Sequence, residues 1–136
     1  MINTKRRPTL IYDGYCNLCV GFVKAVEPSN RIDDGGYHVA LVPYQKADDL
    51  IREFSLDPKE LQSAFHFIDE DGNVYKAGKA IDKLSEIYPF LKIGSGFFTT
   101  ELGEKLYAFV SENRYSIFGC SDECYVSEFY ESEQKV

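Results

Sequence analysis

Thr9-Leu10-Ile11-Tyr12-Asp13-Gly14-Tyr15-Cys16-Asn17-Leu18-Cys19-Val20 joins a short apolar run, a turn signal and two cysteines three positions apart. Thr9 to Tyr12 reads as a buried strand that Asp13-Gly14 ends in a turn. From Cys16 to Glu27 the periodicity becomes helical. Cys16, Cys19, Val20, Val23 and Val26 share one face, and Pro28 predicts the stop. Both cysteines are thus expected on the first turn of a helix fed by a strand. At that place unpaired N–H groups and the helix macrodipole favour an anion. A thiol that ordinarily ionises near ~8.5 can be brought to between ~3.5 and ~7.5.

This spacing assigns Cys16 as the exposed attacking thiolate and Cys19 as the thiol that resolves the mixed disulfide. Gly14 lets the chain turn tightly out of the strand, and Tyr15 stands where an aromatic shapes a docking surface. Both are candidate substrate-binding residues. Asp13 is the third catalytic candidate. If partly buried, its carboxylate is a candidate proton acceptor for Cys19, although it also opposes ionisation of Cys16. A CxxC pair can instead be half of a zinc site or two inert core cysteines. The strand–turn–CxxC–helix context is more specific than the four letters and favours redox chemistry.

Downstream, Tyr37 to Val42, closed by Pro43, is a second strand. Ala47, Leu50, Ile51 and Phe54 make an amphipathic helical stripe. Asp57-Pro58 is an N-cap with proline at the first helical position. Ala64 to Ile68 and Val74 to Ala77 flank Asp71-Gly72, a hairpin signal. Ala80, Ile81, Leu84 and Ile87 give a helix that ends at Pro89. Strand, helix, strand, helix, hairpin, helix is the order of a thioredoxin-like three-layer α/β/α fold: a βαβ unit, then a β-hairpin and a covering helix. The chain is expected to be one domain, with its core at about 9–89 and a C-terminal helical extension at about 90–128. That extension starts with a Gly94-Ser95-Gly96 loop. It continues as a helix with Leu102, Leu106, Phe109 and Val110 on one face, lying over part of the sheet.

The net charge of −7 argues against nucleic acid as a partner. Lys5-Arg6-Arg7, the single cationic cluster, reads as a solvated tail. No apolar run approaches the ~20 residues of a membrane span, and no secretory signal pattern is present. The expected location is therefore the cytoplasm, where permanent disulfides are rare and four cysteines suggest redox chemistry or metal.

Tyr12-Asp13-Gly14-Tyr15-Cys16-Asn17-Leu18-Cys19 resembles the signature of the DCC family of thiol-disulfide oxidoreductases, named for an Asp-x-x-Cys-x-x-Cys motif. Asp71 to Ala80, and Tyr107 through Asn113-Arg114-Tyr115 and Phe118-Gly119 to Cys120, are similar to the same family. The resemblance covers about Thr9 to Tyr125. It implies a thioredoxin-like fold and dithiol chemistry at Cys16 and Cys19, with Asp13 as the third motif residue. Gln62-Ser63-Ala64-Phe65 departs from thioredoxins proper, which carry a cis-proline at this place.

Cys120 and Cys124 form an auxiliary CxxxC pair. It can relay electrons to the first pair, form its own disulfide, or join Cys16 and Cys19 around zinc. The neighbouring Asp122 and Glu123 disfavour a thiolate there. His38 and His66 read as satisfied strand residues, Asp69-Glu70-Asp71 as a solvated turn and Arg114 as a helix-end residue. The function read from the chain is dithiol–disulfide exchange with no cofactor and no metal. Its partners are a protein or small-molecule thiol or disulfide and a thiol reductant or oxidant. The alternative is a non-enzymatic module, zinc-stabilised or protein-binding, on the same scaffold.

Overall fold

The computed structural model describes residues 6–32, 36–92, 100–113, 116–117, 119–120 and 122–130. Its elements are β1 (Thr9–Tyr12), α1 (Asn17–Asn30), β2 (Ala40–Pro43), α2 (Asp48–Phe54), α3 (Pro58–Ser63), β3 (His66–Ile68), β4 (Val74–Lys76), α4 (Gly78–Ser85) and α5 (Glu101–Glu112). The sheet order is β2-β1-β3-β4. β1 runs parallel to β2, with Leu10 opposite Leu41, and antiparallel to β3, with Leu10 opposite Phe67. β3 and β4 close the hairpin, with Phe67 opposite Tyr75. Gly72 supplies the left-handed residue of its turn, at φ +90°.

β1 is central and buried on both faces, which explains an apolar run without polar alternation. Leu10, Tyr12, Leu41 and Phe67 pack against Val23 and Val26 of α1 and Leu84 of α4. Ile11, Ala40, Val42 and Ile68 pack against Leu50 and Leu61 on the opposite side. The result is the three-layer α/β/α arrangement of a thioredoxin-like fold, as expected. Asp57 caps α3 by accepting a hydrogen bond from the Lys59 amide at 2.9 Å.

Four local expectations are corrected. α1 does not stop at Pro28 but runs on to Asn30. The buried Asn30 amide clamps that last turn, donating to the Val39 carbonyl at 2.8 Å and accepting from the Val39 amide at 2.9 Å. Arg6 and Arg7 are not a solvated tail. Arg6 pairs with Glu53 and lies over the Phe54 ring, while Arg7 stacks on Tyr37 and donates to its carbonyl. Lys5 lies outside the described residues.

The buried side of α5 is also not the apolar stripe expected for it. Leu102, Leu106 and Phe109 are exposed, whereas Gly103 is buried and Tyr107 and Ser111 half-buried. Polar anchors set this orientation: the Phe65 amide donates to Tyr107 Oη at 3.2 Å, and Ser111 Oγ donates to the Ser63 carbonyl. Finally, residues 122–130 are not helical. They return as an extended strap past the cysteine motif and along β2, where Phe129 enters the core and its carbonyl accepts from the Leu41 amide. The Gly94-Ser95-Gly96 loop and Arg114 lie outside the described residues. Among those residues, no helix is long and apolar enough to cross a membrane.

Candidate functional site

Cys16 is the N-cap of α1, in extended conformation at φ −84° and ψ 118°. Its Sγ accepts a hydrogen bond from the Cys19 amide at 3.4 Å, and its carbonyl accepts the first helical bond from Val20 at 2.9 Å. A sulfur in this position meets an N–H otherwise left without an intrahelical acceptor. The predicted placement of the pair on the first helical turn is therefore what the chain adopts.

The exposure of the two sulfurs is the reverse of the expectation. Cys16 is fully buried, whereas Cys19 is half-buried. The C-terminal chain runs beside Cys16. Cys120 pairs with Cys16 in an isolated antiparallel bridge, and the Asn17 amide donates to the Gly119 carbonyl at 3.2 Å. Further along, the Tyr125 amide donates to the Gly14 carbonyl at 2.9 Å. Tyr12 Oη donates to the Tyr125 carbonyl at 2.9 Å, and Glu27 accepts from both Tyr125 Oη and Ser127 Oγ at 2.6 Å.

Gly14, expected at the binding surface, is buried beneath this strap. A Cβ at this position would lie 2.4 Å from Cys124 Sγ and 3.2 Å from the Tyr125 carbonyl oxygen. Space, not backbone freedom, demands glycine here. Tyr15, beside the motif, is 37% exposed and is available to a docking surface.

Asp13 is almost wholly buried. Its Oδ1 accepts from the Tyr15 amide at 3.0 Å and from Gln45 Nε2 at 2.8 Å. Gln45 Oε1 in turn accepts from the Gly14 amide at 3.1 Å and from the Cys124 thiol at 3.7 Å. Gln45 therefore joins the aspartate, the motif loop and the second cysteine pair. A lone glutamine in a short turn after β2 carries no sequence signal, and it went unrecognised. Burial pushes the Cys124 thiol up; Lys46 opposes that shift and Asp13 adds to it.

Cys19 opens into an apolar groove of about 320 Å³ between α1, the segment before β3, and α5. Leu18 and Phe22 of α1, Phe65, and Leu106 and Tyr107 of α5 line it, and Asp13 borders it too. α5 occupies the backbone edge before β3 through Tyr107 and Ser111, at the place where the cis-proline of thioredoxins is missing from the sequence.

Among the described residues, no three His, Cys, Asp or Glu side chains gather in a way that would hold a metal ion. The two pairs are neighbours, but Cys120 lies against Cys16 and Cys124 against Gly14. His66 is buried in β3, its Nδ1 3.1 Å from the Ala64 carbonyl. Asp69 caps its own turn by accepting from the Asp71 and Asn73 amides.

A thioredoxin-like sheet with a CxxC motif capping its first helix is the arrangement of thiol-disulfide oxidoreductase families. The chain belongs to the DCC1-like thiol-disulfide oxidoreductase family, whose sequence model matches residues 10–120. It is 31% identical over 118 residues to the uncharacterized protein YuxK of Bacillus subtilis, covering 85% of this chain and 83% of that one. It is 27% identical over 122 residues to a chloroplastic DCC family protein of Arabidopsis thaliana, covering 88% of this chain and 69% of that one. No solved structure matches the chain.

Proposed function

We propose that the protein carries out thiol–disulfide exchange through Cys16 and Cys19, using no organic cofactor. The observation that supports this most is the Cys19 amide held on Cys16 Sγ at 3.4 Å at the head of α1. The groove gives Cys19 the first contact with substrate, because it borders open space while Cys16 is covered. Cys19, deprotonated by Asp13, attacks a substrate disulfide. One substrate sulfur leaves as a thiolate and takes up a proton, and a mixed disulfide forms on Cys19. Cys16 then gives up its proton and attacks Cys19 Sγ; the bond from Cys19 to the substrate breaks, the second substrate sulfur leaves and takes up that proton, and the Cys16–Cys19 disulfide closes. The substrate is reduced by two electrons and the protein oxidised by two; a thiol reductant reverses the change.

The apolar groove wall suits a disulfide flanked by apolar or aromatic groups, in a protein or a small molecule. Tyr15, exposed beside the motif, adds to the docking surface. The reading takes the chain as one thioredoxin-like unit with its extension forming the groove, acting in the reducing cytoplasm without nucleic acid or membrane partners. A trapping experiment tests the order of attack. In Cys16→Ser, an aromatic disulfide should leave a stable mixed disulfide on Cys19. A stable adduct on Cys16 in Cys19→Ser, with Cys19 of Cys16→Ser unmodified, would assign the attack to Cys16 instead.

A further inference from the structure

Resting on the dithiol reading, we infer that Cys120 is a second exchange partner of Cys16, so that one buried sulfur is shared by a groove-facing and a solvent-facing cysteine. The bridge between them is antiparallel, and the hydrogen bond beside it runs from the Asn17 amide to the Gly119 carbonyl. A bond from the residue after Cys16 to the residue before Cys120 marks a non-hydrogen-bonded pair. Such pairs bring their Cα atoms to about 4.5 Å, with side chains on one face. That separation lies within the ~4.4–6.8 Å window of a disulfide. Gly119, at φ +80°, turns the strap into this register, and a Cβ on it would meet Asn17 Nδ2 at 3.2 Å.

Exposure gives the arrangement a direction. Cys16 is fully buried and Cys120 exposed, so a redox partner in solution reaches Cys120 while the groove stays occupied. Cys124 does not share this position: it lies against Gly14, its thiol donates to Gln45, and burial pushes it up. The step is an internal exchange. The Cys120 thiolate attacks Cys16 Sγ of the Cys16–Cys19 disulfide, the S–S bond to Cys19 breaks, and a Cys16–Cys120 bond replaces it. Cys19 leaves as a thiolate and takes up the proton that Cys120 gave to solvent. No electrons enter or leave; Cys19 is again a thiol, and a thiol reductant acting at Cys120 then frees Cys16 to resolve the next mixed disulfide.

The experiment holds the intact protein in glutathione buffers of graded potential, quenches with an alkylating agent and maps disulfide-linked peptides without reduction. The wild type should yield both Cys16–Cys19 and Cys16–Cys120 links at intermediate potential. In Cys19→Ser, Cys16 and Cys120 should lose alkylation together. A Cys16–Cys19 link in the wild type, with Cys120 paired only to Cys124 or glutathione, overturns this inference and leaves the dithiol reading intact. A Cys16–Cys120 link with no Cys16–Cys19 link overturns both the dithiol reading and the sharing of Cys16 inferred from it. The wild-type map decides the matter even where the variant does not fold.

Discussion

Asp13 borders the same groove as Cys19, and its Oδ1 accepts from the Tyr15 amide and Gln45 Nε2. In the proposed exchange this buried carboxylate takes the Cys19 proton. General-base removal by a positioned group contributes about 10²–10⁴ in rate. Asp13→Asn, which keeps the shape, should therefore slow disulfide exchange by about 10²-fold or more at neutral pH. Unchanged rates across pH would remove Asp13 from the chemistry. His66 makes a separate prediction. Burial lowers its pKa, with Lys76 lowering it further and Ala64 and Glu60 opposing. The native state thus binds fewer protons than the unfolded chain below the ordinary histidine value of about 6.5. Stability should fall as pH drops through that value and level off once pH lies below the folded pKa. Urea midpoints from pH 7.5 to 5.5 should show a smaller loss in His66→Gln than in the wild type; equal losses would show that His66 contributes nothing.

At the scale of elements, the strap sets the difference between the two motif cysteines. Its contact with Gly14 is tight enough that Gly14→Ala must displace Cys124 or the strap. Overpacking of this kind costs about 1–3 kcal/mol. Gly14→Ala should lower the unfolding midpoint and speed alkylation of Cys16. A normal midpoint with Cys16 still slow to alkylate would mean that the strap does not form the cover. β1, α1, the hairpin and the Asp57 cap were legible in the sequence because their signals are local: periodicity, a capping side chain, glycine at a turn. The strap was not, because Tyr125, Ser127 and Phe129 act through partners about a hundred residues away, at Tyr12, Glu27 and Leu41. α5 misled for a related reason. Leu102 and Phe109 of its apolar stripe are exposed while Leu106 and Val110 line the groove, and polar bonds from Tyr107 and Ser111 fix its orientation.

Across the molecule, the sheet brings the end of β1 and the head of α1 together, and the C-terminal chain returns to cover one sulfur and leave the other at a groove. The candidate residues Asp13, Cys16 and Cys19 were readable from one motif. Their accessibility was not, since burial of Cys16 depends on Gly119 and Cys120 far along the chain. The residue types of the motif point to dithiol chemistry, while the proposed order in which its sulfurs act rests on the packing over them. The most direct measurement is a redox titration of the purified protein, with free thiols trapped by a mass tag and assigned residue by residue. The account predicts a two-electron transition that withdraws Cys16 from alkylation, with Cys19 as its main partner. If Cys16 and Cys19 both stay alkylatable at every potential, or oxidise independently of each other, the protein does not work through this dithiol.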